Sequence, residues 1–404
     1  MNLLIVGSGG NGEATAWAEY FARSSEIDNV YLLLMSPYES NCMNPKVKIV
    51  NGRDIKNLQI DYYWNMYIKQ AGISEIRIEI PDTTIQLGTS PRLRELEVNK
   101  QFFKDECKRL GVQTPFILAD GSCQELIIYL TNEHITYPIV IKPSSENIPA
   151  KTNIYTSKEN AIKFLTGISN RCNNANFIVE EYISDTIHLE ALYASDGNDI
   201  YSLGVTTEEK LWLGSLDTKG GWVNFSVSPC AKVTQKHKDF LADSTRKLLD
   251  GDIPKGLFCV QGLATVQDDE MFFIEINARP GGPDLVNMWN ATEPFDFMHA
   301  IATSSFEKLN VELLDDRGFY YGIFTVINKA KQSILINTDK LVSDDYEVHI
   351  GSYNILNIGG KFFSASGLSP MVIGIVGKNY EDVMKKAGEK VPEIFNPIYF
   401  DFEF

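Results

Sequence analysis

Glu275, Asn277 and Arg279 fall at every second position of a strand-like stretch, FFIEINARPGG, residues 272–282. Side chains alternate across a strand, so these three share a face while Phe272, Phe273, Ile274 and Ile276 supply the apolar character. An acid and an amide offer oxygen to a hard cation, and a guanidinium can make paired hydrogen bonds to a phosphate. The preceding strand, LFCVQGLATV, is separated from this one by QDDE. With Asp268 at the centre of the turn, Gln261 falls opposite Glu275, with Cβ atoms about 5 Å apart. Gln261, Glu275 and Asn277 are therefore the expected ligands of a magnesium ion, or of manganese in its place. A half-solvated antiparallel strand would also alternate. Asparagine is, however, a poor strand residue, and the following PGG lets backbone approach a ligand closely.

The elements that must position this patch belong to a chain of 404 residues, enough for two or three domains. The balance of 44% hydrophobic and 22% charged residues is that of a globular protein. No apolar run approaches the roughly 18 residues of a membrane span. The N-terminal MNLLIVGSGGNG lacks a basic leader, so it does not read as a secretory signal. A net charge of −16 without a Lys/Arg cluster argues against nucleic acid as partner. Cys42, Cys107, Cys123, Cys172, Cys230 and Cys259 form no C-x-x-C, as expected of reduced cysteines in a cytoplasmic protein.

NLLIVG, a glycine turn and an apolar-faced helix, then NVYLLLMS, begin an open α/β sheet that IRIEI near residue 78 continues. Residues 91–112 read as one charged helix stopped by Gly111. From about 115 short strands such as YPIVIKP and NFIVEEYI alternate with helices, one of them ended by Gly251. The last 90 or so residues are strand-rich and close with a helix near 380–391 capped by Asn379. Gly7, Gly9 and Gly12 form G-x-G-x-x-G between strand and helix. A nicotinamide site would need an acid ending the second strand, where Ser36 stands. The alternatives are a tight turn, or a helix N-terminus that holds another anion.

The E-x-N-x-R pattern resembles the ATP-grasp superfamily, and within it the glycinamide ribonucleotide synthetases (phosphoribosylamine–glycine ligases). The likeness runs through LLIVGSGG, LRELEVNKQFFKDECKRLGVQTP, YPIVIKP, FIVEEYI, GGWVNFSVSPC and IGGKFFSASG in family order. It implies an α/β and α+β protein of three parts. These are an open α/β pre-ATP-grasp domain over 1–97, an ATP-grasp domain over 98–315 with a lid near 115–183, and a mixed β/α domain over 316–404. It implies that Lys142 and Lys151 contact ATP phosphates. Glu180, Glu181 and backbone near Tyr182 and Ile183 would hold the adenine. Glu190 would meet the ribose or help place the metal, and Arg279 would neutralise the transferring phosphoryl group. His188 reads as a packing residue.

The implied reaction is ATP-dependent joining of a small-molecule carboxylate to an amine through an acyl phosphate. It needs alignment and charge neutralisation more than a protein nucleophile. Departures fall on the substrate side: NGEA follows the first glycines, and GGPDLV follows the metal strand. Gly9, Gly10, Arg92, Arg94, Gly220, Gly221, Gly281, Gly282, Asn287 and Trp289 are the candidate substrate contacts. Phosphoribosylamine and glycine themselves, and an NAD-dependent oxidoreduction, stand as alternatives; a homodimer is the candidate assembly.

Overall fold

The computed structural model describes residues 1–7, 13–34, 44–66, 80–88, 90–145, 148, 152–172, 175–213, 221–228, 233–280, 296–306, 320–327, 334–335, 342–343, 346–347, 349–350, 355–358, 361–364 and 370–394. The first domain is a parallel sheet. Its strands β1 (Asn2–Gly7), β2 (Asn29–Leu34), β3 (Val47–Ile49), β4 (Tyr62–Asn65) and β5 (Ile85–Leu87) lie in the order β3-β2-β1-β4-β5. β1 is apolar on both faces because both are covered. Helix α1 (Glu13–Phe21) covers one of them so tightly that a Cβ on Gly7 would sit 2.2 Å from Ala14 Cβ. The first glycine of the loop thus has a packing reason to be glycine. IRIEI lies outside the described residues, apart from Ile80, which packs at the edge of this domain.

Residues 91–112 form two helices rather than the single one expected. Helix α2 (Pro91–Val98) starts at Ser90, whose hydroxyl accepts from the Leu93 N–H. It ends at Asn99, whose extended backbone breaks the helix and whose side chain caps α3 (Lys100–Leu110) by accepting from the Phe102 N–H. The Lys100 N–H donates instead to the Ser144 carbonyl, at 2.9 Å. Gly111, at φ 65°, ends α3 as expected.

The segment expected to form the lid, called the lid for its place in the chain, holds a four-stranded sheet of β6 (Ile117–Ser122), β7 (Ile139–Pro143), β8 (Asn153–Tyr155) and β9 (Asn176–Glu181), in the order β6-β9-β7-β8. Helices α4 (Cys123–Asn132) and α5 (Lys158–Ser169) cover its outer face around Ile139, Ile141, Phe177 and Val179. The inner face carries Lys142, Ile178 and Glu180.

The main sheet holds β10 (Thr186–Asp196), β11 (Ile200–Leu213), β12 (Gly221–Ser228), β13 (Lys255–Thr265), β14 (Met271–Asn277) and β15 (Tyr320–Ile327). Among the described residues its order is β14-β13-β10-β11-β12-β15, continued by Pro370–Gly377 and His349–Ile350. The sheet therefore runs without interruption across the domain boundary expected near 315. One face buries Leu189, Ala191, Phe258, Val260 and Ile276 under α2, α3 and α6 (Gln235–Leu248). The other face buries Leu192, Ala194, Leu257 and Cys259 against α1 and the helix Phe297–Thr303. The closing helix, Tyr380–Ile394, is capped as expected: Asn379 Oδ1 accepts from the Asp382 N–H at 2.8 Å.

Candidate active site

Where the second face of the main sheet leaves the first domain, it turns polar. Glu190 pairs with Gln261 across β10 and β13, and Gln261 pairs with Glu275 across β13 and β14. The three side chains form one row over adjacent strands. The Gln261–Glu275 pairing is the one expected from the sequence, but it is reached by a different route. At the hairpin tip Ala264 pairs with Met271 and Gly262 with Phe273, a register that would not by itself oppose Gln261 to Glu275. Ile274 is the extra residue of a β-bulge that restores it. The bulge also lets Phe273 and Ile276, three apart, both enter the core while Glu275 points into the site. Phe273 packs on Phe103 of α3 with ring centroids 6.0 Å apart.

Glu275 is ion-paired to Lys100, Oε2 to Nζ 3.1 Å, with about a quarter of its side chain exposed. Desolvation pushes its carboxyl upward. The charge and hydrogen bond of Lys100, the charge of Lys142 and a hydrogen bond from Asn277 outweigh that, and hold it down to about 2. Asn277 is buried; its Nδ2 donates to Glu275 Oε1 at 3.3 Å and lies 3.5 Å from Cys259 Sγ. Burial, and then the nearby Glu190 charge, keep the Cys259 thiol protonated far above its usual range.

On the lid side Glu180 is almost fully buried, and each of its oxygens faces a lysine. Oε1 is 2.7 Å from Lys104 Nζ and Oε2 is 2.7 Å from Lys142 Nζ. The carboxylate expected near the adenine is therefore occupied by two ammonium groups. Glu181, beside it, accepts from the Phe116 N–H through Oε1 at 2.8 Å and so ties β9 to the segment leading into β6. Tyr182 is exposed and Ile183 half-buried at the end of this strand.

Arg279 faces Glu97, Nε to Oε1 3.8 Å, and Glu97 also binds Arg94 at 3.1 Å. Burial raises the Glu97 carboxyl, which Arg279, Arg94, Lys100 and the Ala278 N–H partly counter. Glu97, Lys100 and Lys104, at helical spacings of three and four, were not singled out from the sequence. Their spacing is the signal that could have found them, but an exposed helix face carries the same spacing. Arg92 is held elsewhere: its guanidinium binds Glu106 and the Leu248 carbonyl, pinning α2 to α3 and α6. Lys151, Gly9, Gly10, Gly220, Gly281, Gly282, Asn287 and Trp289 lie outside the described residues, and Gly221 opens β12.

Among the described residues no group of three or more His, Cys, Asp or Glu could hold a metal. A magnesium site does not need one, because that ion takes one or two carboxylates and fills its remaining positions with water and phosphate oxygen. One ionised acid beside two amide oxygens fits that demand.

No family model matches the chain. The fold nevertheless defines a class: it is the ATP-grasp fold, with the paired crossing helices, a four-stranded sheet and the main sheet. The relatives are more particular. The chain is similar to a phosphoribosylamine–glycine ligase of Fusobacterium nucleatum, 24% identical over 304 residues that span 70% of this chain and 68% of the relative. The phosphoribosylamine–glycine ligase of Thermotoga maritima superposes with a TM-score of 0.66 at 17% identity, over 100% of this chain and 98% of that one. The biotin carboxylase domain of a 2-oxoglutarate carboxylase from Hydrogenobacter thermophilus, in complex with magnesium ADP and bicarbonate, superposes with a TM-score of 0.63 at 13% identity, over 98% and 90%. Among the described residues no helix is long and apolar enough to cross a membrane.

Proposed function

We propose that the chain is an ATP-dependent ligase that joins a small-molecule carboxylate to an amine, forming an amide-type carbon–nitrogen bond with ADP and phosphate as co-products. The observation that carries this reading is the meeting of lid and hairpin. Lys142 comes from the lid and Lys100 from the crossing helix, and both act on Glu275 of the hairpin. Cations beside an ionised acid and amide oxygens suit a polyphosphate and its metal. The similarity to ligases of this fold supports the same reading.

Glu275, Asn277 and Gln261 would hold a magnesium ion, which when bound supplies charge neutralisation between the phosphates. The chain's own groups do the remaining work. Lys100 and Lys142 neutralise the phosphate oxygens. Arg279, fixed by Glu97, stands beside the hairpin to meet charge that develops during phosphoryl transfer. The segment 115–183 would serve as the lid, since an acyl phosphate hydrolyses and water must be excluded.

The acid and amine differ from phosphoribosylamine and glycine in this reading, because the sequence departs from that family mainly on the substrate side. Two measurements test it. A thermal-shift panel should show stabilisation by magnesium ATP or magnesium ADP and none by NAD, since a ligand of the native state raises the midpoint. An acid-by-amine screen read by ADP release should then find a productive pair. Stabilisation by NAD alone would return the glycine loop to the oxidoreductase reading.

A further inference from the structure

Lys104 is a buried cation that the proposed reaction does not use. Its side chain is 3% exposed, so it cannot reach a ligand in the cleft. Its ammonium meets three oxygens: it is ion-paired with Glu180 Oε1 at 2.7 Å and donates to the Pro115 carbonyl at 3.1 Å and to the Thr114 hydroxyl. Two of these belong to the connector that enters the lid, and the third to lid strand β9. A lysine buried only for packing would be replaced at no loss by an apolar residue, since desolvating an ammonium is costly. Here the cost is met at a carboxylate that is itself shared.

Glu180 sits between two ammonium groups that repel each other. Lys142 is the more exposed of the two, at 11%, and its charge also reaches Glu275 on the hairpin. With Lys104 in place, Glu180 is neutralised from behind, so Lys142 can turn toward an anion without leaving a bare buried carboxylate. Without Lys104, Lys142 would be the sole counter-charge and would be held back. We propose that Lys104 is a positioning residue for the nucleotide site, keeping Lys142 available to phosphate by sharing Glu180 with it and anchoring the lid connector at Thr114 and Pro115. This inference rests on the nucleotide reading above.

The arrangement carries its own pH signature. Burial lowers the Lys104 ammonium, Glu180 raises it and Lys142 lowers it further, leaving it at about 8. The groups that face it are Glu180 from β9, Lys142 from β7 and Cys107 from its own helix, whose thiol burial pushes up to about 12. Cys107 therefore stays protonated while Lys104 titrates.

The test is calorimetric titration of the full chain with magnesium ADP. Lys104→Met should weaken ADP about tenfold although the side chain never touches it, and in a Lys142→Met background the same change should add little, as for residues acting through one another. Wild-type affinity should also fall as the pH is raised from about 7 to about 9, and that fall should be absent in Lys104→Met. Should Lys104→Met not fold, Lys104→Gln and the wild-type pH series decide the matter. Wild-type affinity in the variant with only a lower melting midpoint, or a flat wild-type pH series, overturns the proposal. A wild-type chain that does not bind ADP at all removes the nucleotide reading itself, and this inference with it.

Discussion

Two glutamates face each other's territory across the cleft, and their surroundings differ. Glu275 on the hairpin is about a quarter exposed and holds one lysine at 3.1 Å. Glu180 on the lid is about 1% exposed and holds two lysines at 2.7 Å. An ionised, partly open carboxylate that holds one lysine and one amide N–H would, in the proposed reading, trade that lysine for a metal ion. A buried carboxylate with an ammonium group at each oxygen is suited to holding those groups in place. Residue type alone did not separate the two roles; burial and the number of partners do.

The contrast can be broken at either end. The largest effect is expected at the hairpin. Glu275→Gln should lower ADP release about 10²–10³-fold with whichever acid and amine turn over, the scale for losing one charge-stabilising group. An unchanged rate would take Glu275 out of the site. At the lid the effect should fall on stability. Glu180→Leu leaves Lys104 and Lys142 without their carboxylate in a buried place, and should cost about 3–5 kcal/mol in urea unfolding. If it unfolds like wild type, the pair of ion pairs is not structural.

Acid sharpens the comparison further. The Glu275 carboxyl is lowered from 4.5 to about 2 in the folded chain. A group depressed on folding contributes stability that is complete above its unfolded value and is lost as the pH falls through the folded one. The Glu275 contribution should thus decline between about pH 4.5 and about pH 2, and Glu275→Gln should flatten that part of the stability curve. An equally steep acid limb in the variant would assign it to other carboxyls. The smallest effect belongs to the joint that aims the lysines. Asn99→Ala removes the α3 cap and should cost about 1 kcal/mol of stability, visible as a lower thermal midpoint. No change would mean that the helix break is held by the Lys100–Ser144 backbone bond alone.

The hairpin was legible in the sequence because it is local. Period-two alternation and a short turn fix which side chains share a face, and Gln261, Glu275 and Asn277 follow from counting. The bulge at Ile274 was not legible, since nothing in FFIEIN marks which residue is extra; it is chosen by Phe273 entering the core against Phe103. The crossing helices were misjudged as one because Asn99 reads as an ordinary polar helix residue until its cap and its bridge to Ser145 are seen. Lys100 and Lys104 were missed for a related reason. A lysine on a charged helix is usually solvated, and only the packing of α3 between lid and hairpin turns these two inward. The first two strands and the closing helix, set by apolar runs and by Asn379, emerged as read, whereas β3, β4 and β5 are too short to stand out as apolar runs.

Diffraction from crystals soaked with manganese ADP, recorded for anomalous scattering, addresses the central claim most directly. A single strong peak beside Glu275 and Asn277, with Lys100 swung from Glu275 onto phosphate, is the expected result. A nucleotide bound away from this hairpin, or a metal peak with neither residue among its ligands, would contradict it.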